Sequence, residues 1–321
     1  KPKLIIMVDC GSTSNSAIEF LNDNKIKSIV IDHHEINKPF PKANSIINPK
    51  KDKKLIEYSY LCATALVYFF VDLLSLKIKS KMNIQDYLIY VLLATVCDVM
   101  PLRNLNRVIA LQVLKKFKVS SSFFFNEIYS LSKKKKKLDI NDLGYLLGPI
   151  LNSGGRLGHS IYATQVLSSN DVEIVKKFTF ELFELNNKRK VIETATLNEI
   201  DFDKIDKDNN DVVIYYNSNI NEGLIGIIAA RLTDHFNKPS IVITSSGKLL
   251  KGSARSIYNY NIGAAIKKAL DKNILLGGGG HIMAAGFTLD KSKLKKFKEF
   301  ISKDFLATKS NIDKFSFYDA E

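Results

Sequence analysis

A chain of 321 residues exceeds one ordinary domain and predicts two, each large enough to bury a core. Its hydrophobic content of 45% is that of a globular protein, and three cysteines without Cys-x-x-Cys spacing exclude a zinc knuckle or a disulfide frame and suit a reducing, cytosolic setting. A formal net charge of +14 favours a polyanionic partner, since Lys and Arg release counterions from phosphates, although a lysine-biased proteome gives the same excess.

Leu4 to Val8 is a short apolar run, expected as a buried parallel strand, and it ends in Asp9-Cys10-Gly11. A lone Asp after a strand is also an ordinary N-cap. A helical crossover over about residues 14–25 leads to a second strand, Ser28 to Ile31, which ends in Asp32-His33-His34. One carboxylate and two imidazoles at a strand end deliver metal ligands to the edge where open α/β sheets place their ligands. Such donors suit Mn²⁺, Mg²⁺ or Zn²⁺, ions that activate water against phosphate esters; the plainer reading is a polar turn with capping histidines. Adjacent tips of a parallel sheet lie side by side, so both groups could reach one ion cluster.

Leu61 to Leu76 is the most apolar stretch, yet it contains Asp72 and is too short to span a bilayer; no membrane segment or signal peptide is expected. A third acidic tip follows the apolar stretch Tyr87 to Val96. There Asp98 stands as a buried carboxylate in need of a cation, a metal or a local cap. Cys10 and Cys97 read as small buried fillers beside strands. Lys133 to Lys137 reads as a solvated loop.

Val172 to Ile200 has the apolar spacing of a helix. Asn186 and Arg189 lie one turn apart on it, as an exposed polar face in the plainer reading and as cleft residues in the other. Val212 to Tyr216 and Ser240 to Ile243 read as strands. Between them Gly223 opens an apolar helix, where backbone N–H groups can approach a phosphate. Gly252-Ser253-Ala254-Arg255-Ser256 offers a guanidinium among small residues, suited to phosphate capture. Gly277 to Gly280, followed by His281, predicts positive φ and close backbone approach rather than packing, with a flexible turn as the alternative.

These segments resemble the DHH phosphoesterase superfamily, and within it the RecJ group of single-strand-specific exonucleases. The resemblance rests on Val8 to Gly11, Asp32 to Glu35, Pro41 to Pro49, Ala94 to Leu102 and Gly148 to Leu157, with the second half similar to the DHHA1 domain through Arg255 and Gly279-Gly280-His281. It implies an α/β fold of two lobes: a DHH domain with a parallel sheet over 1–165, a helical connector over 166–200, and a DHHA1 domain over 201–307. Residues 308–321 would be a tail or the start of another domain.

The implied activity is two-metal phosphodiester hydrolysis of single-stranded DNA, 5′ to 3′, in repair and recombination, with two Mn²⁺ or Mg²⁺ ions. Asp9 would bridge the ions, and His33 and Asp98 would bind one of them. His34 would touch phosphate or orient a ligand, and Asp32 would fix an imidazole. Arg156, Gly223, Arg255, Ser256, Gly279, Gly280 and His281 would hold the strand. No membrane partner is expected, and no accessory repair protein is named by the residues.

Three departures stand beside the matches. No earlier aspartate-rich motif and no OB-fold lie within 1–321, so the sequence reads as a core fragment, expected to be inactive alone. Asn221 also stands where the family usually has a histidine, and Asn carries no charge. The alternatives are a short-oligonucleotide or cyclic-dinucleotide phosphodiesterase, and a DHH-fold protein that binds single strands without cutting them.

Overall fold

A computed structural model describes residues 1–208 and 210–309. The chain divides into two compact units: Lys1–Asn152 with Tyr162–Glu181, and Ser153–Ile161 with the residues from Leu182 onward.

In the first unit, β1 (Leu4–Val8), β2 (Lys27–Ile31) and β3 (Ser45–Ile47) form a parallel sheet in the order β1-β2-β3. Helix α1 (Asn15–Asp23) makes the crossover and buries Ile18 fully. β-branched side chains dominate β2 and β3, as a pleated half-buried surface favours. The register pairs Val8 with Ile31, and Ile31 with Ile47, so these strand ends are level. The first strand departs from expectation: it lies at the sheet edge, and Leu4, Ile6 and Val8 are about half exposed.

Helices follow: α2 (Ala63–Lys77), α3 (Leu88–Cys97), α4 (Asn104–Lys116), α5 (Phe123–Leu131), α6 (Ile140–Asp142), α7 (Gly148–Arg156), α8 (Ile161–Ser168) and α9 (Val172–Asn198). The apolar segment before Asp98 is therefore helix α3 and not a strand. Its buried Val91, Leu92 and Leu93 present an apolar surface nearly all round, which a short strand shares and periodicity cannot separate. Inside the unit, Phe125, Ile128, Tyr129, Leu143, Leu147 and Ile150 are fully buried. Tyr129 donates to Asp142 at 2.6 Å, and Lys134 pairs with the other oxygen of that carboxylate. Lys133 to Lys137 form the exposed loop expected of them. Among the described residues, no helix is long and apolar enough to cross a membrane.

The second unit contains α10 (Phe202–Lys207), β4 (Val213–Tyr216), α11 (Ile225–Phe236), β5 (Ser240–Ser246), β6 (Leu249–Arg255), α12 (Ile262–Asp271), β7 (Gly277–Gly280), β8 (Ala284–Asp290) and α13 (Leu294–Lys309). The sheet order is β4-β5-β6-β8-β7; β4 and β5 are parallel and the other neighbours antiparallel. One core lies on α12 and α13, with Ile266, Phe297 and Ile301 fully buried; a second lies on α11, with Ile228 and Leu232.

The four glycines correct the sequence reading. They form the edge strand β7, and none has positive φ. Packing does require two of them: a Cβ on Gly280 would stand 2.3 Å from Ala284 O, and one on Gly278 would stand 3.0 Å from Gly286 O and from Ile266. Gly277 and Gly279, on the other face of the strand, meet nothing within 4 Å. The segment 310–321, within the span read as a tail or a new element, lies outside the described residues.

Candidate functional site

The first unit gathers the acidic and imidazole groups. Asp9 N–H donates to Ile31 O and Asp32 N–H donates to Ile47 O, each at 3.0 Å, which extends the parallel ladder to the acidic strand tips. Asp9 then takes φ +57°, a left-handed conformation that turns the chain at the sheet edge. On the other side, Asp98 caps α3 with its N–H on Ala94 O at 2.9 Å. The following Val99 ends the helix at φ +54°, a strained conformation for a β-branched residue.

These elements bring the side chains together. His33 Nε2 stands 3.4 Å from Asp9 Oδ1 and 3.2 Å from Asp98 Oδ2, and His34 Nδ1 stands 3.8 Å from Asp9 Oδ1. Asp9, His33 and His34 each offer a ligand atom within 4.8 Å of the others. His33 is buried, whereas the Asp9 and Asp98 side chains are 65% and 48% exposed. Asp98 is thus an open carboxylate at a helix end, not the buried one expected. Burial opposes charge on His33, but its bond to Asp9 and the charges of Asp98, Asp9 and Asp32 hold its pKa above the ordinary value.

Asp32 lies behind this cluster, 1% exposed. Its carboxylate accepts the N–H groups of Ser12 at 3.1 Å, His33 at 2.8 Å and His34 at 3.2 Å, and it meets His34 Nδ1 at 2.7 Å. Burial raises its pKa, yet these bonds from Ser12 and His34 outweigh it and bring the value to about 2. An ionised carboxylate only accepts, so Nδ1 of His34 donates to it. Two residues without a role in the sequence reading complete the frame: Asn48 donates to Ser12 Oγ at 2.8 Å and to His34 O at 2.9 Å, and both Asn48 and Ser12 are buried. Cys10 and Cys97 are exposed, not buried fillers, because each sits where the chain turns out of its strand or helix end beside an exposed aspartate.

The second unit gathers arginines. Arg156 Nη1 donates to Gly223 O at 2.9 Å, and a Cβ on Gly223 would stand 2.1 Å from Arg156 O. Gly223 N–H already donates to Asn221 Oδ1 at 2.8 Å. Glycine is required at 223 by the Arg156 backbone rather than by an approaching phosphate. Arg255, at the end of β6, donates from Nη1 to Ser253 Oγ at 3.2 Å and to Ala254 O at 2.9 Å. Among the described residues, neither Arg156 nor Arg255 makes an ion pair with a carboxylate. Burial, then the charge of Arg189, lowers the pKa of Arg156; burial, then the charge of Arg156, lowers that of Arg255. The three guanidiniums therefore share one neighbourhood.

Ser256 does not join them. It is buried, and its hydroxyl donates to Tyr260 O at 2.6 Å, which makes it a tie within the loop. His281 and Gly279 are exposed beside β7, while Gly280 packs against Ala284 and Ala285. Asn186 and Arg189 are buried, against the exposed-face reading. Arg189 donates to Asn186 Oδ1 at 3.1 Å and to Glu193 Oε2 at 2.6 Å. Glu193 also accepts from Arg231 Nε of α11 at 2.9 Å, a partner remote in sequence that helical spacing alone does not signal.

The sequence profile of the DHH family, N-terminal domain, matches residues 2–95, and that of the DHHA1 domain matches residues 209–306. The chain therefore carries a DHH-family N-terminal domain and a DHHA1 domain. Its DHH domain holds the carboxylate–imidazole cluster up to His34, and its DHHA1 domain holds Arg255 and the glycine strand. The chain is 26% identical over 329 aligned positions to the single-stranded-DNA-specific exonuclease RecJ of Haemophilus influenzae, covering 94% of this chain and 55% of that protein. It is 28% identical over 321 positions to RecJ of Escherichia coli (strain K12), covering 92% and 55%. The chain spans about half the length of these curated relatives. In fold it matches the crystal structure of RecJ in complex with Mn²⁺ from Thermus thermophilus with a TM-score of 0.83 at 22% identity, over 95% of this chain and 45% of that one.

Proposed function

We propose that the chain is the hydrolytic core of a single-stranded-DNA-specific exonuclease, acting 5′ to 3′ as the RecJ resemblance implies, in DNA repair and recombination. The observation that carries the reading is the convergence of Asp9 and Asp98 on one imidazole of His33. Two carboxylates brought together repel, and a divalent cation between them and the imidazole relieves that repulsion. The donor set fits such an ion: carboxylate oxygen and neutral imidazole suit Mn²⁺, which the RecJ of Thermus thermophilus binds, and that protein has also been determined with Mg²⁺. Asp9, His33 and Asp98 would hold it, with His34 Nε2 able to join them or to meet a phosphate oxygen. Two ions, Mn²⁺ or Mg²⁺, are proposed for the whole site. When bound, such ions supply Lewis acidity toward a phosphodiester.

The side chains of this protein do the rest. Asp32 accepts from His34 Nδ1 and so fixes the orientation of the ring, which is how a second carboxylate makes an imidazole a better ligand. Ser12 and Asn48 fix the loop that carries both histidines. Arg156 and Arg255, which make no ion pair with a carboxylate among the described residues, are proposed to take backbone phosphates, and Gly279 with His281 to lie along the strand. Single-stranded DNA is the proposed partner. A cytoplasmic setting is retained as part of the proposal.

The test is the end from which DNA is lost. Single strands labelled at either terminus and the matching duplex are incubated with the 321-residue chain and Mn²⁺. Stepwise loss from the 5′ end of single strands supports the reading. Equal attack on duplex, or loss from the 3′ end, overturns it, and release of mononucleotides only from very short substrates moves the assignment to an oligonucleotide phosphodiesterase.

A further inference from the structure

Beyond the end of β6 the second unit carries exposed apolar side chains that the chemistry above does not use. Tyr258 is 63% exposed, Ile282 59% and Met283 48%. They lie on two loops joined by backbone hydrogen bonds. Arg255 pairs with Ala284 as the last step of the β6–β8 ladder, and Ser256 N–H continues it on Met283 O at 2.9 Å. Ile262 N–H donates to Ile282 O and Gly263 N–H to His281 O, each at 3.1 Å. The segment 256–263 is thus tied to 281–283 at both its ends. Scattered apolar residues on a surface are ordinary, whereas three on adjoining loops mark a patch that a partner covers.

The tip between those ties is held outward. Tyr260 N–H closes a turn on Ile257 O at 3.3 Å, which makes Tyr258 and Asn259 its central residues, with Asn259 at φ +67°. Tyr260 is fully buried; it packs on Phe305, its hydroxyl donates to Asp304 at 3.2 Å, and its carbonyl accepts from Ser256 Oγ at 2.6 Å. Asn261 Oδ1 then accepts Ala264 N–H at 2.9 Å and starts α12. Two tyrosines two positions apart have opposite fates: one anchors the loop in the core and the other stands in solvent. A turn fixed in this way presents a rigid ring, which a ligand can meet at little further cost in entropy.

The neighbours name the ligand. Arg255 lies three residues before Tyr258, and His281 directly precedes Ile282; both are read above as strand contacts. By register, the face of the sheet that carries Arg255 continues through Ala284, Gly286 and Gly279, none with more than a methyl side chain. A guanidinium for phosphate, a low floor and an aromatic rim suit a nucleotide, which joins an anion to a flat ring with two π faces.

We propose that Tyr258, with Ile282 and Met283 on the adjoining loop, is a nucleobase-stacking site for the single strand whose backbone Arg255 contacts. The inference rests on the single-strand reading of Arg255 and His281. Every base has a π face, so the site adds affinity with little sequence preference, and it favours single strands because duplex bases are already paired and stacked.

The chain contains no tryptophan, so Tyr258→Trp places a single fluorescent reporter at the turn. This variant is titrated with a single strand of thymidines and with a strand of equal length in which every base is replaced by an abasic residue. The thymidine strand is expected to quench the tryptophan, and the abasic strand to bind without quenching. Fluorescence anisotropy of the same two strands, labelled, then compares wild type with Tyr258→Ala. The variant is expected to bind the thymidine strand roughly five- to 100-fold more weakly, the range for losing one base–aromatic stack, and the abasic strand as wild type does. Equal loss on both strands means that Tyr258 only shapes the loop, and overturns the inference; so does an unchanged affinity for both, or a reporter that responds alike to both. Should Tyr258→Ala fail to fold, the tryptophan titration decides alone. A wild-type chain that binds neither strand overturns the inference together with the single-strand reading. Base-dependent quenching in a chain that cleaves no strand supports the stacking site and removes the nuclease reading instead.

Discussion

His33 Nε2 lies 3.2 Å from the Asp98 carboxylate, which joins a sheet edge to the end of a helix. Val99 holds that helix end in a left-handed conformation, and Met100 N–H closes it on Thr95 O at 2.9 Å. Val99→Gly removes the Cβ strain, worth about 1 kcal/mol at such a position, but also loosens the unfolded chain. The two effects nearly cancel, so Tm stays within a few degrees while the Asp98 carboxylate becomes less fixed. Activity with Mn²⁺ should fall more than stability does, and a paired melting and cleavage measurement shows whether it does.

Asp32 and His34 make the second pair. Asp32→Asn replaces an acceptor of four hydrogen-bonding groups with a side chain that must turn an amide toward some of them. The imidazole of His34 then loses its fixed orientation. Loss of such a supporting carboxylate typically costs about 10- to 100-fold in metal affinity or activity. Isothermal titration with Mn²⁺, beside the cleavage rate, measures both; a variant with wild-type values in each contradicts the assignment of Asp32.

Asp142 gives a stability prediction that does not involve the site. It is buried, accepts from Tyr129 and pairs with Lys134. Burial raises its pKa, but Lys134 and Tyr129 outweigh burial and hold it below the usual carboxylate value. A depressed folded-state pKa stabilises the fold above the unfolded value, about 3.9, and the contribution is lost as pH falls through the folded value. Asp142→Asn keeps one acceptor oxygen but loses the charge and the second acceptor, so it should cost about 1–3 kcal/mol at neutral pH, and progressively less below about pH 4. Urea denaturation of both proteins at several pH values gives the difference directly.

The glycine strand separates packing from substrate approach. Gly280→Ala places its Cβ 2.3 Å from Ala284 O and should destabilise the second unit by about 1–3 kcal/mol. Gly279→Ala meets nothing within 4 Å and should leave Tm nearly unchanged. If a strand lies along that open face, Gly279→Ala weakens single-strand binding all the same. Equal melting shifts in the two variants would contradict the alternation of faces described for β7.

Among the described residues Arg255 makes no ion pair with a carboxylate, so its charge is available to a phosphate. Arg255→Ala should weaken single-strand binding and lower the salt dependence by about one released counterion. Fluorescence anisotropy over a series of salt concentrations reads this slope, and an unchanged slope would remove Arg255 from the backbone contacts.

Several of these residues were legible in the sequence. Asp9 and Asp32-His33-His34 follow apolar runs short enough to be strands, and parallel pairing then sets their ends level. Asp98 was legible as a candidate but not in its place: a ten-residue run of mostly buried side chains looks the same in a strand and in a fully packed helix. The glycine run pointed to backbone approach, yet only the neighbouring Ala284, Ala285 and Ile266 show which glycines packing requires. The pairing of Glu193 was hidden because one of its two guanidinium partners, Arg231, sits on another helix. Ser12 and Asn48 were hidden for a similar reason, since a serine and an asparagine in loops carry no pattern until the histidine loop folds over them.

The most direct measurement is Mn²⁺-dependent hydrolysis of an end-labelled single strand by the wild-type chain and by Asp98→Ala. Asp98 is exposed at a helix end, so its removal should spare the fold and take away one of the two carboxylates that converge on His33. Cleavage by the wild-type chain that falls at least about 100-fold in the variant, with single-strand binding retained, is the result the nuclease reading predicts, and it would also overturn the expectation that this core is inactive alone. Equal cleavage by the two proteins, or tight binding with no cleavage by either, would contradict a metal-dependent nuclease built on Asp9, His33 and Asp98.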